Sequence, residues 1–169
     1  MENKPLLELS YHRTDWIFEY TKAVKRFREI IPSKIKVCFM HVGSTAAHAV
    51  TARPIIDIAI GVINPLDLIT VRDILALNGY EPNESRSTIS DLFLEKKNKA
   101  EQRFNIHVVV FDGPRWNDMF KYTQYLKENP NAAKEFSLFK TDLIVKKKVS
   151  REVYEREKAN YIKEILKKI

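Results

Sequence analysis

Two short stretches hold the residue types from which phosphate chemistry is built. His41-Val42-Gly43-Ser44-Thr45 runs a strand-like segment into a glycine-serine turn, whose backbone N–H groups suit phosphate oxygens. Arg53-Pro54-Ile55-Ile56-Asp57-Ile58 plants a carboxylate inside an apolar, β-branched run. An ionised Asp in such a run is expensive unless metal or hydrogen bonds compensate it, so Asp57 is the first residue to explain. Arg53 precedes a proline and is therefore held extended beside the strand of Asp57. It reads either as a clamp for phosphate or carboxylate or as a surface arginine at a loop exit. His107 is the other candidate on a strand, sharing alternation with Asn105 and Val109 while Ile106, Val108 and Val110 take the opposite face. His41, at the end of its strand, either faces a pocket or caps the sheet edge.

The elements that must position these residues follow from periodicity. After Thr14 or Asp15 as cap, Trp16, Ile17, Tyr20, Val24, Phe27, Ile30 and Ile31 fall at helical spacing, and Pro32 ends the helix. Ile35, Val37 and Phe39 alternate with Lys34, Lys36 and Cys38, which predicts a strand running into the Gly43-Ser44 turn. Residues 54–63 form a second, continuously apolar strand. Asn64-Pro65 starts a helix that stops at Gly79. Ile89 to Lys96 and Gln102 to Phe111 read as an antiparallel hairpin around Lys97-Asn98-Lys99. Beyond Pro114 the period is helical: one helix to Pro130, a second capped by Asn131 and a third capped by Ser150. The expected architecture is α+β, a mixed four- or five-stranded sheet covered by helices, with a helical C-terminal half. One domain over residues 1–169 is expected from the length.

Composition narrows the function classes. No apolar run reaches the ~20 residues of a membrane helix. One cysteine, Cys38, rules out an internal disulfide framework, and no N-terminal segment reads as a signal peptide, so a cytoplasmic protein is expected. The net charge of +7 and pI near 9.4 point to an anionic partner. Nucleotide, RNA or an acidic metabolite would each serve, but no aromatics are interleaved with the basic residues as in RNA-binding strands. A small phosphorylated partner is therefore expected over a nucleic acid, and nothing in the chain sets an oligomeric state.

The chain resembles the GrpB-like family of the nucleotidyltransferase superfamily. A segment reading HVGSTAVPGLAAKPIIDI marks that family's core, and here it reads HVGSTAAHAVTARPIIDI. Tyr11, Trp16, Ile106-His107-Val108-Val109, Trp116, Tyr125-Leu126-Lys127, Phe139-Lys140, Tyr154 and Lys158 extend the likeness over nearly the whole chain. The resemblance implies a nucleotidyltransferase-like fold that binds a nucleotide or another phosphorylated ligand, with transfer of a nucleoside monophosphate to an unidentified small acceptor. The alternative is a catalytically weak or inactive ligand-binding or accessory module. In the first case Asp57 would hold Mg²⁺, Gly43 and Ser44 would cradle phosphate, and Arg53, Lys140 and Lys158 would neutralise it. Lys140 and Lys158 read equally as ordinary surface lysines of their helices. His107 would act as a base, metal ligand or phosphate donor, or as a hydrogen-bonded histidine that orients Asp57.

Departures from the superfamily pattern are equally specific. Superfamily acids usually come two apart on one strand, because such residues share a face and grip one metal. Here the second position is Ala59, GrpB-like sequences generally lacking that second acid, and Ala59 and Gly61 are expected to leave room for a ligand above the sheet. His48 and Ala49 stand where the family has Pro-Gly, and Thr123 and Gln124 where it has Arg-Asp.

Overall fold

The computed structural model describes residues 8–48, 50–96 and 102–169. Helix α1 (Asp15–Ile30) buries Trp16, Ala23 and Phe27 and ends where Ile31 turns extended ahead of Pro32. Thr14 occupies the cap position but makes no side-chain cap bond. Strand β1 (Val37–Val42) leads through the Gly43 turn and one 3₁₀ turn toward β2 (Ile55–Val62). Asn64 accepts a hydrogen bond from the Leu66 N–H and Pro65 takes the first helical position, so a 3₁₀ turn precedes α2 (Leu68–Leu77). Strands β3 (Glu81–Pro82), β4 (Leu92–Lys96) and β5 (Arg103–Val110) complete the sheet. The first residues of the strand expected from Ile89 instead make a tight turn, in which Thr88 and Asp91 pair. The expected turn at Lys97-Asn98-Lys99 lies outside the described residues, as does Ala49.

The C-terminal half is helical, as its periodicity predicts. It consists of α3 (Pro114–Glu128), α4 (Pro130–Thr141) continuing into a π-helical turn, and α5 (Arg151–Leu166). Ser150 caps α5 by accepting from the Val153 N–H. Asn131 does not cap α4: Pro130 opens that helix with Asn129 at the cap position, because proline lacks the N–H that a first turn leaves unpaired in any case.

The sheet is mixed, five strands in the order β1-β2-β5-β4-β3. The β2–β5 pair is parallel and the β1–β2, β4–β5 and β3–β4 pairs are antiparallel. One face carries Ile56, Ile58, Ile60, Ile106 and Val108 against α1 and α2, the main core. The other carries Val42, Ala59 and Val109 against Trp116 and Met119 of α3, with Cys38 and Met40 packed at the edge. Coverage on both faces explains why β2 reads as a continuous apolar run. Among the described residues no helix is long and apolar enough to cross a membrane.

The space expected above Ala59 and Gly61 is filled. A Cβ on Gly61 would lie 2.8 Å from Cε3 and Cζ3 of Trp116 and 3.2 Å from the Phe111 Cα. Glycine is there to let the indole pack on the strand. Gly61→Ala should therefore lower stability by about 1–3 kcal/mol through overpacking, read as a lower urea midpoint at unchanged m-value. An unchanged midpoint would mean that Trp116 has room to move.

Candidate functional site

Register places the polar residues of this second face in rows. Val42, Asp57, Asn105 and Glu95 stand side by side across β1, β2, β5 and β4, and the adjacent row is Met40, Ala59, His107 and Phe93. Asp57 is half-buried, and its Oδ1 accepts from the Asn105 amide at 2.7 Å. Among the described residues no basic side chain lies within 4 Å of it to form an ion pair.

A cleft opens above the Asp57 row, between the sheet and α3 and α5, in two compartments that share Ser44, Asp57, Glu155 and Lys158. The larger, about 180 Å³, also takes in Gly43 and His107. The smaller, about 20 Å³, adds Arg53, Asn105 and Lys140. So the structure brings Gly43, Ser44, Arg53, Asp57, His107, Lys140 and Lys158 to two adjoining compartments, and leaves His41 outside them. The smaller space accommodates roughly one water, so Arg53 and Lys140 stand behind Ser44 and Asp57 instead of at the open surface.

Several of these side chains already have partners. The Gly43 N–H, expected to face phosphate, donates to Thr123 Oγ1 at 3.0 Å. What Gly43 provides is its backbone: φ is +72°, and a Cβ would come 3.1 Å from Asp57 Oδ2. Arg53 forms an ion pair with Glu155 and lies 5.7 Å from the Tyr154 ring centroid. Lys140 is no surface lysine: it is 1% exposed, donates to Ser44 Oγ at 3.0 Å and to the Thr51 carbonyl, and lies over the Phe136 ring. Burial, with Lys158 adding to it and Asp57 opposing, holds its pKa well below the ordinary lysine value. Lys158 has no ion-pair partner within 4 Å among the described residues. Burial works against its charge, but Glu155, Tyr154 and Asp57 outweigh burial and raise its pKa. The same neighbours act in reverse on Glu155, where Lys158 and Arg53 overcome desolvation and lower the pKa.

His107 does not orient Asp57. Its Nδ1 lies 3.0 and 2.9 Å from the two carboxylate oxygens of Asp91, which also accepts from Arg115 Nε at 2.8 Å. His41 faces the opposite side of the sheet, because Val42 and Met40 hold the cleft-side positions of β1. It stacks on Tyr20 at 4.9 Å and meets Thr45 Oγ1 at 2.9 Å, and burial, only partly offset by Asp57, pushes its pKa down to about 4. Asn105, Asp91, Arg115, Thr123 and Glu155 are site residues that sequence reasoning did not single out. The available signals were the alternation of Asn105 with His107 and the departure from the family pattern at Thr123.

The carboxylates limit what metal the cleft could hold. Among the described residues no three His, Cys, Asp or Glu side chains are grouped to bind a metal ion. Asp57 is a carboxylate without a cation, while Glu155 is engaged by Arg53. This donor set fits a cation such as Mg²⁺ that keeps several waters and completes its shell with ligand phosphates. It does not fit a preformed all-protein cage.

A family model described as GrpB protein matches residues 7–168 of the chain. The chain is 29% identical to the glutamate-rich protein GrpB of Alkalihalophilus pseudofirmus, over 97% of its own length and 96% of the relative's. It is 23% identical to the UPF0157 protein YqkA of Bacillus subtilis over 95% of its length, spanning only 46% of that protein. Among solved structures, the conserved protein GrpB from Enterococcus faecalis superposes with a TM-score of 0.81 at 21% identity, covering 95% and 96% of the two chains. Cid1, described through its RNA terminal uridylyl transferase activity, superposes with a TM-score of 0.54 at 12% identity, over 77% of this chain and 40% of Cid1. These structural likenesses establish a nucleotidyltransferase-like fold.

Lys140 yields a pH prediction with a definite sign. Its pKa is depressed in the folded state relative to the ordinary 10.5, so between the two values the unfolded chain binds the extra proton and stability rises with pH. Lys140→Met removes that slope. In urea titrations from neutral pH toward pH ~10, just below the ordinary lysine pKa, wild-type stability should climb relative to the variant. A constant difference would mean that Lys140 titrates normally.

Proposed function

Because the chain belongs to the GrpB protein family and places an unpaired carboxylate beside a serine and a lysine in one cleft, we propose that it binds a nucleotide or another phosphorylated small molecule. Asp57 carries this reading. It is held by Asn105 and faced by Ser44 and Lys158 across the cleft, with no basic group in ion-pair contact. A phosphate against a bare carboxylate is repelled unless a cation lies between them. Mg²⁺ held by Asp57 and the ligand's phosphates would remove that repulsion and draw electron density from the reacting phosphorus.

The chain's own side chains do the rest. Lys158 keeps its proton and offers charge to the phosphates. Lys140 fixes Ser44 by donating to Oγ, leaving the hydroxyl hydrogen free to point at a phosphate oxygen. Arg53 acts from the layer behind, where its ion pair holds Glu155 beside Lys158. The reaction that fits this arrangement is transfer of a nucleoside monophosphate to a small acceptor. Cid1, whose fold is similar, is described in one structure as a poly(U) polymerase holding Mg and 3′-dATP, which supports nucleotidyl transfer as the class to test.

One observation favours a second reading, a ligand-binding or accessory module without efficient transfer. Ala59 holds the second acid position and is packed under Trp116 and Met119, so β2 supplies one carboxylate where a two-metal mechanism uses several.

Calorimetry with ATP, with and without Mg²⁺, tests the site. Wild type should bind more tightly with Mg²⁺, and Asp57→Asn should lose that gain, at least about tenfold in Kd or 1.4 kcal/mol, without loss of fold. Equal affinity in all four titrations would make Asp57 a structural residue.

A further inference from the structure

The row beside Asp57 contains a second polar device that nucleotide binding does not use. His107 is held on two sides: Phe93 meets its ring edge-on at 5.0 Å, and Asp91, 5% exposed, takes its Nδ1. A carboxylate only accepts hydrogen bonds, so this contact requires the proton on Nδ1. Asp91 stays ionised: burial opposes its charge, but His107 and Arg115 outweigh burial and lower its pKa. In the neutral ring Nε2 then carries the lone pair. No described residue hydrogen-bonds Nε2, it is not among the buried polar atoms left without a partner, and the ring lines the larger compartment beside Asp57. Met119, Tyr122, Phe136 and Ile162 give the same compartment an apolar part of its lining.

We propose that His107 Nε2 is the proton acceptor for a hydroxyl-bearing, partly apolar small molecule that enters this compartment, and that Asp91 is the positioning residue that fixes its tautomer. The assignment rests on the nucleotide reading above and names the acceptor class for it. In the step, the acceptor O–H gives its proton to Nε2 as its oxygen forms a bond to the α-phosphorus. The bond from that phosphorus to the bridging oxygen breaks, and pyrophosphate leaves with the electron pair. His107, now imidazolium, is stabilised by Asp91 and returns the proton to solvent. Arg115 pairs with the same carboxylate oxygen and keeps Asp91 charged between turnovers.

The test measures pyrophosphate release from Mg-ATP and Mg-UTP with water, glycerol or 2-phenylethanol as acceptor, together with calorimetric ATP binding. His107→Gln should cut release by about 10²–10⁴-fold, the usual range for a lost general base, while ATP affinity stays unchanged. Asp91→Asn should also slow release. Nitrogen-15 NMR of the His107 ring should show the proton on Nδ1 in wild type and a mixture of tautomers in Asp91→Asn, a change that a purely structural Asp91 would not produce. Unchanged release in His107→Gln, a wild-type ring protonated on Nε2, or a wild type that binds ATP yet releases no pyrophosphate with any of these acceptors would each overturn the proposal. Absence of ATP binding in wild type would instead remove the nucleotide reading itself, and the base assignment with it.

Discussion

The parallel pairing of β2 with β5 is the constraint on which the cleft depends. It sets Asn105 beside Asp57 and His107 beside Ala59, while the antiparallel β1–β2 register brings Val42, and hence the Gly43 turn, to the same carboxylate. A one-residue slip of β5 or of β1 against β2 would turn the slipped strand's members of this row toward the α1-facing core. The apolar alternation of Ile56, Ile58, Ile60, Ile106 and Val108 on that other face prevents the slip. The core thus holds the polar row in place although it does not touch it. Gly43 completes the arrangement, since any side chain there would press on Asp57 Oδ2.

Much of this was legible in the sequence, and what was not has physical reasons. The helices and four of the five strands follow from period and punctuation, because Pro32, Asn64-Pro65, Gly79 and Ser150 act through local backbone chemistry. The tight turn at Thr88–Asp91 and the start of α4 at Pro130 were missed at element ends, where one residue's geometry decides the boundary. The gathering of Gly43, Ser44, Asp57 and His107 followed from motif and alternation, and that of Lys140 and Lys158 from family resemblance. Their partners could not be read, since they depend on register and helix docking: Asp91 is 16 residues from His107, and Glu155 is 102 from Arg53. Thr123 shows the same effect. A replacement of a charged family position, it is 2% exposed and tethers the Gly43 N–H.

Charge is distributed less simply than the net value of +7 implies. In the larger compartment Arg86, Arg115 and Lys158 face Asp57, Asp118 and Glu155. Elsewhere basic residues are paired on the surface: Lys146 and Lys147 with Asp142, and Lys167 with Glu164. Such exposed pairs contribute little to stability. The cleft is therefore lined by a balanced set of charges.

Ala59 and His107 are register partners, and their pairing gives the site its chemical character. With alanine at the second acid position and Trp116 and Met119 packed over it, β2 offers one carboxylate to a cation. A single carboxylate supports a cation that the ligand's phosphates help to hold, and leaves no protein group on that strand to steady a second one at the attacking oxygen. In a two-metal site that second cation activates the nucleophile. The group standing in the same row, one strand across, is an imidazole that lines the cleft, its Nδ1 tied to Asp91 and its Nε2 hydrogen-bonded by no described residue. Nucleophile activation by proton removal needs a base and no second cation, and on the proposed reading the row that lacks the second acid is the row that supplies the base.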